Sequence, residues 1–187
     1  GLPALAWMAP STRPRAVEKL KALRNKIGYP DRWRDYTKLK LTRKDHLANL
    51  IAGRRFLFAH EADRISKPVD KDEWQMPPAL VNAYYNPSVN EMVFPAGILQ
   101  PPYFSADFPM AMNFGGIGMV MGHELTHGFD DQGRKFDGRG VLREWWEPSA
   151  SAKFQERAQC VETLYGGIDV LPGVKLNGKL TLGENIA

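Results

Sequence analysis

The sequence predicts an α+β fold, predominantly helical, and three observations carry that expectation. Apolar residues recur at helical spacing over 12–27 and again over 45–58. Two short β-prone runs, 80–85 and 91–94, flank a turn-forming passage. An apolar, glycine-rich segment then spans roughly 110–129 and ends in three polar residues. At 187 residues the chain has about one domain's length. Its 43% hydrophobic and 25% charged content matches a globular protein and excludes a collagen-like, mucin-like or wholly disordered chain. No apolar run approaches the ~18 residues of a membrane-crossing helix, so this segment is expected to span no bilayer.

In chain order, the first helix starts at Ser11 or Thr12 and runs through Val17, Leu20, Leu23 and Ile27. Gly28 stands where a left-handed cap belongs, and Pro30 bars continuation. Thr42 and Asp45, three apart as in a capping box, signal a second helix. Leu47, Leu50, Ile51, Leu57 and Phe58 follow at helical spacing, and Pro68 limits its extent. The polar, proline-containing passage 70–79 reads as a candidate linker between two parts of one region, a helical segment, 1–73, that precedes the core, and the core, 74–187.

Charge divides the chain at nearly the same place. The net +4 hides 17 Lys and Arg against 7 Asp and Glu in residues 1–71 (+10), and 8 against 14 in the remainder (−6). The basic residues are dispersed along helical segments without an aromatic or glycine-rich ladder. A solvated helical face explains them better than a nucleic-acid patch, so no nucleic-acid partner is expected.

In the core, Leu80 to Tyr85 and Glu91 to Phe94 read as the strands of a β-hairpin around Asn86-Pro87-Ser88-Val89-Asn90. Pro95, Pro101 and Pro102 break the chain before the helix at 110–129. That helix contains Gly115, Gly116, Gly118 and Gly122, each costing ~1 kcal/mol relative to alanine. It should therefore be held by packing against closely approaching backbone, and its apolar surface marks it as a buried element.

The polar residues at its end are His123, Glu124 and His127, in the run His-Glu-Leu-Thr-His. Positions i and i+4 share a helix face, so both imidazoles can bind one zinc ion. Glu124 lies about 100° round the helix, turned away from that pair but placed to take a proton from water held on the metal. A third ligand is needed. His46 and His60 lie in the basic helical segment and read as ordinary surface or core residues. Among Glu144, Glu147, Glu156, Glu162 and Glu184, spacing alone does not choose. Glu184 is preferred because it opens a new apolar helical turn after Leu182-Gly183.

The run from Val120 to Asp131 resembles the active-site helix of the neprilysin and endothelin-converting-enzyme family of zinc endopeptidases. Asn82-Ala83-Tyr84-Tyr85 is similar to that family's substrate-binding segment, and Glu91 to Pro102 to the strand and loop after it. Gly183-Glu184-Asn185-Ile186-Ala187 resembles the start of its Glu-Asn-Ile-Ala-Asp motif. The likeness is dense over 74–187 and weaker over 1–73. It implies a thermolysin-like zincin (gluzincin) catalytic region with one Zn2+, bound by His123, His127 and Glu184, and Glu124 as general base. It implies that Asn82 and Ala83 hydrogen-bond the backbone of a peptide substrate. Asp130 would orient a ligand imidazole, or be a plain helix-end carboxylate. Ile98, Tyr103, Met119 and Val120 would line the pocket for the side chain after the scissile bond, or simply pack the core.

The expected function is endopeptidase hydrolysis of oligopeptides on the amino side of hydrophobic residues. The alternative is a zinc-binding or peptide-binding fragment without catalysis. The start at Gly1 suggests a processed or cut chain, and no signal-peptide pattern follows it. The last residues read as the first turn of a helix with no stop signal, as a cut chain or a frayed tail would. The resemblance implies an aspartate one residue past Ala187 and a histidine and an arginine farther on, so the remainder of a parent polypeptide is an expected partner and the isolated segment is expected to be impaired. Cys160, the single cysteine, cannot form an internal disulfide. By resemblance it is a half-cystine with a partner outside the chain, which points to an extracytoplasmic parent (periplasmic, secreted or ectodomain), while bacterial relatives leave a cytoplasmic one open.

Overall fold

A computed structural model describes residues 4–187. Helices and strands mix along it, and the chain divides into two compact units. One holds the described residues up to Tyr29 together with Met76–Ala187; the other is Pro30–Gln75. The sequence reading placed the whole of 1–73 ahead of the core, whereas here the chain's first helix and strand group with the core.

In the larger unit, helix α1 spans Thr12–Lys21 and strand β1 spans Arg24–Gly28. Strand β2 (Tyr84–Asn86) and strand β3 (Glu91–Pro95) follow, then helices α3 (Met110–Gly115), α4 (Ile117–His127) and α5 (Pro148–Gly166). A two-stranded ribbon of β4 (Asp169–Leu171) and β5 (Val174–Lys175) leads to helix α6 (Leu182–Ile186). The smaller unit contains helix α2 (His46–Arg64), whose Asp45 carboxylate accepts the Ala48 N–H at 2.9 Å. Asp45 is thus the cap itself rather than the second member of a box opened by Thr42.

The first helix is shorter than its apolar periodicity predicts. It stops at Lys21, and Leu23 to Ile27 become extended because β1 pairs in parallel with β3, from Arg24↔Glu91 to Gly28↔Pro95. Gly28 does adopt a positive φ of 89°, but it closes a strand instead of capping a helix. The predicted hairpin is present, with β2 antiparallel to β3 from Tyr84↔Val93 to Asn86↔Glu91. Its first strand begins later than expected. Residues 78–80 are engaged elsewhere: Gly97 donates to the Pro78 carbonyl at 2.8 Å, and a Cβ at Gly97 would lie 2.6 Å from the Leu80 carbonyl oxygen. The sheet order is β1-β3-β2, which buries β3 on both faces and leaves β2 at an edge.

The predicted helix at 110–129 is two helices. At Gly116 the ψ of −100° breaks the ladder, and Ile117 donates instead to the Tyr103 carbonyl at 2.8 Å. A Cβ at Gly116 would sit 2.3 Å from that oxygen, so only glycine admits the approach. Close backbone accounts for Gly116, whereas Gly115 and Gly122 face open space. Nor is the segment buried all round. Ile117, Val120 and Leu125 pack on the sheet, while Met110, Met112, Phe114, Met119 and Met121 are exposed.

Two apolar clusters hold the larger unit together. Met8, Ala9, Ala16, Trp145, Trp146 and Ala150 join α1 to α5, and Arg134 stacks its guanidinium over Trp146 and Phe154. Ala83, Met92, Phe94, Ile98 and Ile117 join the sheet to α4. α6 packs against α4 and α5. None of the described helices is long and apolar enough to cross a membrane.

Candidate metal centre

Helix α4 presents one face to the sheet, and its last turn carries the polar residues. His123 and His127 lie one turn apart with Nε2 atoms 3.0 Å from each other. Helix α6 delivers Glu184 to the same point. Its Oε2 lies 3.3 Å from His123 Nε2 and its Oε1 3.6 Å from His127 Nε2. Among the described residues these three form the group whose ligand atoms, within 4.8 Å of one another, could hold a metal ion.

The donor set suits zinc. Bonds of about 2.0–2.2 Å in a tetrahedral arrangement place neighbouring ligand atoms roughly 3.3–3.5 Å apart, and the observed separations bracket that range. The second ring nitrogen of His127, Nδ1, lies 2.7 Å from Asp130 Oδ2. An ionised carboxylate only accepts, so Nδ1 carries the proton and Nε2 turns its lone pair to the shared point. Asp130 is itself fixed, with Oδ1 accepting the N–H groups of Gln132 (2.9 Å) and Gly133 (2.7 Å). The hydrogen bond to Asp130 raises the His127 pKa above its ordinary value, against an opposing effect of burial.

Glu124 stands behind this face, only 5% exposed. Burial pushes its pKa up, as does Glu184, while the two imidazoles and the Tyr85 backbone N–H stabilise the ionised form. A cleft of about 570 Å³ opens beside the ligand atoms, lined by His127, Asp130, Asn177, Lys179, Leu180 and Glu184 among others. Glu184 reaches it from an exposed side chain, 70% accessible.

His123, His127, Glu184, Glu124 and Asp130 therefore meet. The proposed substrate residues are more dispersed. Asn82 is exposed and uses its side-chain oxygen to accept the Ala83 N–H at 2.9 Å, while Ala83 is buried in the sheet cluster. Both precede β2 rather than lying in it. Ile98, Tyr103 and Val120 belong to the packing round that cluster, whereas Met119 is 59% exposed and lies outside it. Of the other candidate carboxylates, Glu147 precedes α5 and takes the Ser149 hydroxyl, Glu144 takes the Ser151 hydroxyl, and Glu156 and Glu162 lie along α5. His60 bonds Glu73 at 2.8 Å in the smaller unit, and Cys160 is an exposed free thiol on α5.

Three supporting residues escaped the sequence reading. The Tyr85 N–H reaches Glu124, and its hydroxyl donates to Asn90 Oδ1 at 2.8 Å. Asn90, at φ 51°, donates in turn to the Lys19 carbonyl. Lys19 is 1% exposed and directs its ammonium at the chain following His127. A signal for it exists: Thr12, Ala16 and Lys19 lie at i, i+4 and i+7 and form the buried stripe of α1. The competing apolar pair Val17 and Leu20 conceals it, and Leu20 is exposed.

Residues 82–187 match the profile of Peptidase family M13. Human neprilysin is 44% identical over 98% of this chain, and endothelin-converting enzyme 1 of Bos taurus 46% identical over 100% of it. In each case the match covers 26% of the relative, so the chain spans about a quarter of the length of the curated relatives it matches. The inhibitor-bound zinc metalloprotease Zmp1 of Mycobacterium tuberculosis superposes with a TM-score of 0.94 at 45% identity, covering 99% of this chain and 29% of that one. PepO of Lactobacillus rhamnosis superposes with a TM-score of 0.87 at 38% identity, covering 98% and 29%. With more than half its residues inside the family profile, and with a helix and a later carboxylate meeting as a three-donor site, the chain belongs to peptidase family M13.

Proposed function

We propose that this chain carries the centre of a zinc-dependent endopeptidase, thermolysin-like in its ligand set (a gluzincin), which hydrolyses peptide bonds in oligopeptides on the amino side of hydrophobic residues. One observation carries the reading: two imidazoles and a carboxylate converge on one point, with a buried carboxylate behind them. Zinc held by His123, His127 and Glu184 supplies Lewis acidity that makes water nucleophilic near neutral pH. Glu124 accepts the proton of the attacking water and returns it to the leaving amine, a role that its raised pKa favours. Asp130 keeps the His127 imidazole in the tautomer and orientation that donation requires.

Water as nucleophile needs no acyl-enzyme, so Cys160 has no part in the chemistry. A peptide substrate is taken in extended form beside Asn82 and the edge strand β2, by strand addition. Tyr103, Val120 and Met119 offer apolar surface near α4 for the preferred side chain, with Ile98 packed beneath them in the sheet cluster. The exposed thiol of Cys160 fits an extracytoplasmic parent in which it pairs with a cysteine outside this chain.

Metal analysis combined with turnover tests this reading. The wild-type chain is expected to hold one equivalent of zinc and His127→Ala none. Glu124→Gln, introduced into the full-length parent, is expected to keep its zinc and lose about 10²–10⁴-fold in peptide hydrolysis. Equal hydrolysis by wild type and Glu124→Gln would sink the assignment. The edge position of β2 favours a second reading, a zinc-dependent peptide-binding module. A wild-type parent that binds zinc and peptide without cleaving any peptide would establish that reading instead.

A further inference from the structure

We propose that Lys19 is a positioning residue for the metal centre: its buried ammonium holds the loop that carries Asp130, and through Asp130 it sets the orientation of His127. The inference rests on the reading of His123, His127 and Glu184 as zinc ligands. Lys19 Nζ donates to the carbonyls of Gly128 (2.6 Å), Gly133 (2.7 Å) and Phe136 (2.8 Å). An ammonium has three N–H donors, and all three are used on one loop.

Those acceptors are not scattered. Gly128 is the C-cap of α4, directly after His127, where exposed carbonyls and the helix dipole favour a cation. Gly133 gives its own N–H to Asp130 Oδ1, so one of the three residues that bind Lys19 through their carbonyls also binds Asp130. A Cβ at Gly133 would fall 1.8 Å from the His127 carbonyl oxygen, which shows how closely this loop folds back on the end of α4. Lys19 therefore closes 128–136 into a ring, with Asp130 inside it and His127 at its root.

The cation's surroundings argue against a packing role alone. Nζ lies 5.3 Å from the Phe129 ring centre, 5.8 Å from Tyr85 and 5.9 Å from Trp145. Those ring faces attract a cation, but taking the ammonium out of water is costly, and an apolar side chain would fill the same cage without that cost. What an apolar residue cannot supply is three divergent donors. The backbone of Lys19 is fixed as well: Asn90 Nδ2 donates to its carbonyl at 3.0 Å and to that of Gly138 at 3.3 Å.

The test compares Lys19→Met and Lys19→Arg with a control, Lys26→Met, which removes a different buried lysine paired with Glu91. Zinc affinity of the full 187-residue chain is measured by competition with a chromogenic chelator, alongside thermal melts and the NMR signal of the His127 Nδ1 proton. Folded Lys19→Met is expected to bind zinc 10–100-fold more weakly, the effect of losing an outer partner of a ligand, and to lose the Nδ1 signal to exchange. Lys19→Arg, with its planar fork, is expected to fold and recover part of the affinity. Lys26→Met is expected to lower the melting temperature with zinc affinity unchanged.

Wild-type affinity and an intact Nδ1 signal in folded Lys19→Met overturn this inference alone, provided His127→Ala has lost zinc. Zinc bound equally by wild type and His127→Ala overturns the ligand assignment and this inference with it. Failure of both Lys19 variants to fold even in saturating zinc also overturns it, because the lysine would then serve the fold only.

Discussion

Asp130 joins two requirements in one carboxylate. One oxygen orients His127, and the other collects two backbone N–H groups of its own loop, the loop that Lys19 grips through three carbonyls. Asp130→Asn keeps the shape but removes the charge, and is expected to weaken zinc binding by about 10–100-fold in equilibrium dialysis. At this scale the two histidines and Glu124 were legible because helix geometry alone relates them. Glu184 was legible only as one carboxylate among five, since no local rule links α6 to α4. Lys19 was not legible, because a lysine on a helix ordinarily marks the solvent face. Its burial depends on three carbonyls more than a hundred residues away in the chain.

Among the elements, the largest departure from expectation is β1. Leu23 and Ile27 continue the apolar spacing of α1, and nothing local prevents a longer helix; pairing with β3 decides the matter, together with the Lys26–Glu91 ion pair at 2.9 Å. The loop after α4 has a comparable logic. Gly133→Ala would place a methyl group against the His127 carbonyl, and is expected to cost about 1–3 kcal/mol or more of stability in denaturant titration. The same loop ends in the turn at Asp137. Burial raises the Asp137 pKa, but the Val141 and Arg139 N–H groups and the Arg143 guanidinium outweigh it, so the folded-state pKa is lowered below the usual 3.8. The unfolded chain therefore binds this proton first as pH falls. The contribution is complete above about pH 4 and is lost as pH drops through the folded value. Asp137→Asn is expected to flatten the acid limb of stability against pH below 4, read by thermal melts of the metal-free chain.

For the molecule as a whole, burial is unevenly distributed. Both apolar clusters lie in the larger unit, while α2 buries none of its residues and exposes Leu47, Leu50, Ile51, Leu57 and Phe58. Its periodicity was read correctly from the sequence, but periodicity does not say whether a partner surface is present. Backbone amides of α2 are expected to exchange with solvent faster than those of β3 by about two orders of magnitude or more, in native-state hydrogen exchange. The parallel pairing of β1 with β3 gives this unevenness a further meaning. Everything from Tyr29 to Asn90 is one crossover between two neighbouring strands, and it includes all of the smaller unit. Closing a loop depends on the logarithm of its length, so doubling this one costs only about 0.6 kcal/mol. Insertions, deletions or an exchanged subdomain at 30–75 thus leave β1 and β3 paired, and the chemistry beyond them can persist while that part of the chain is rewritten.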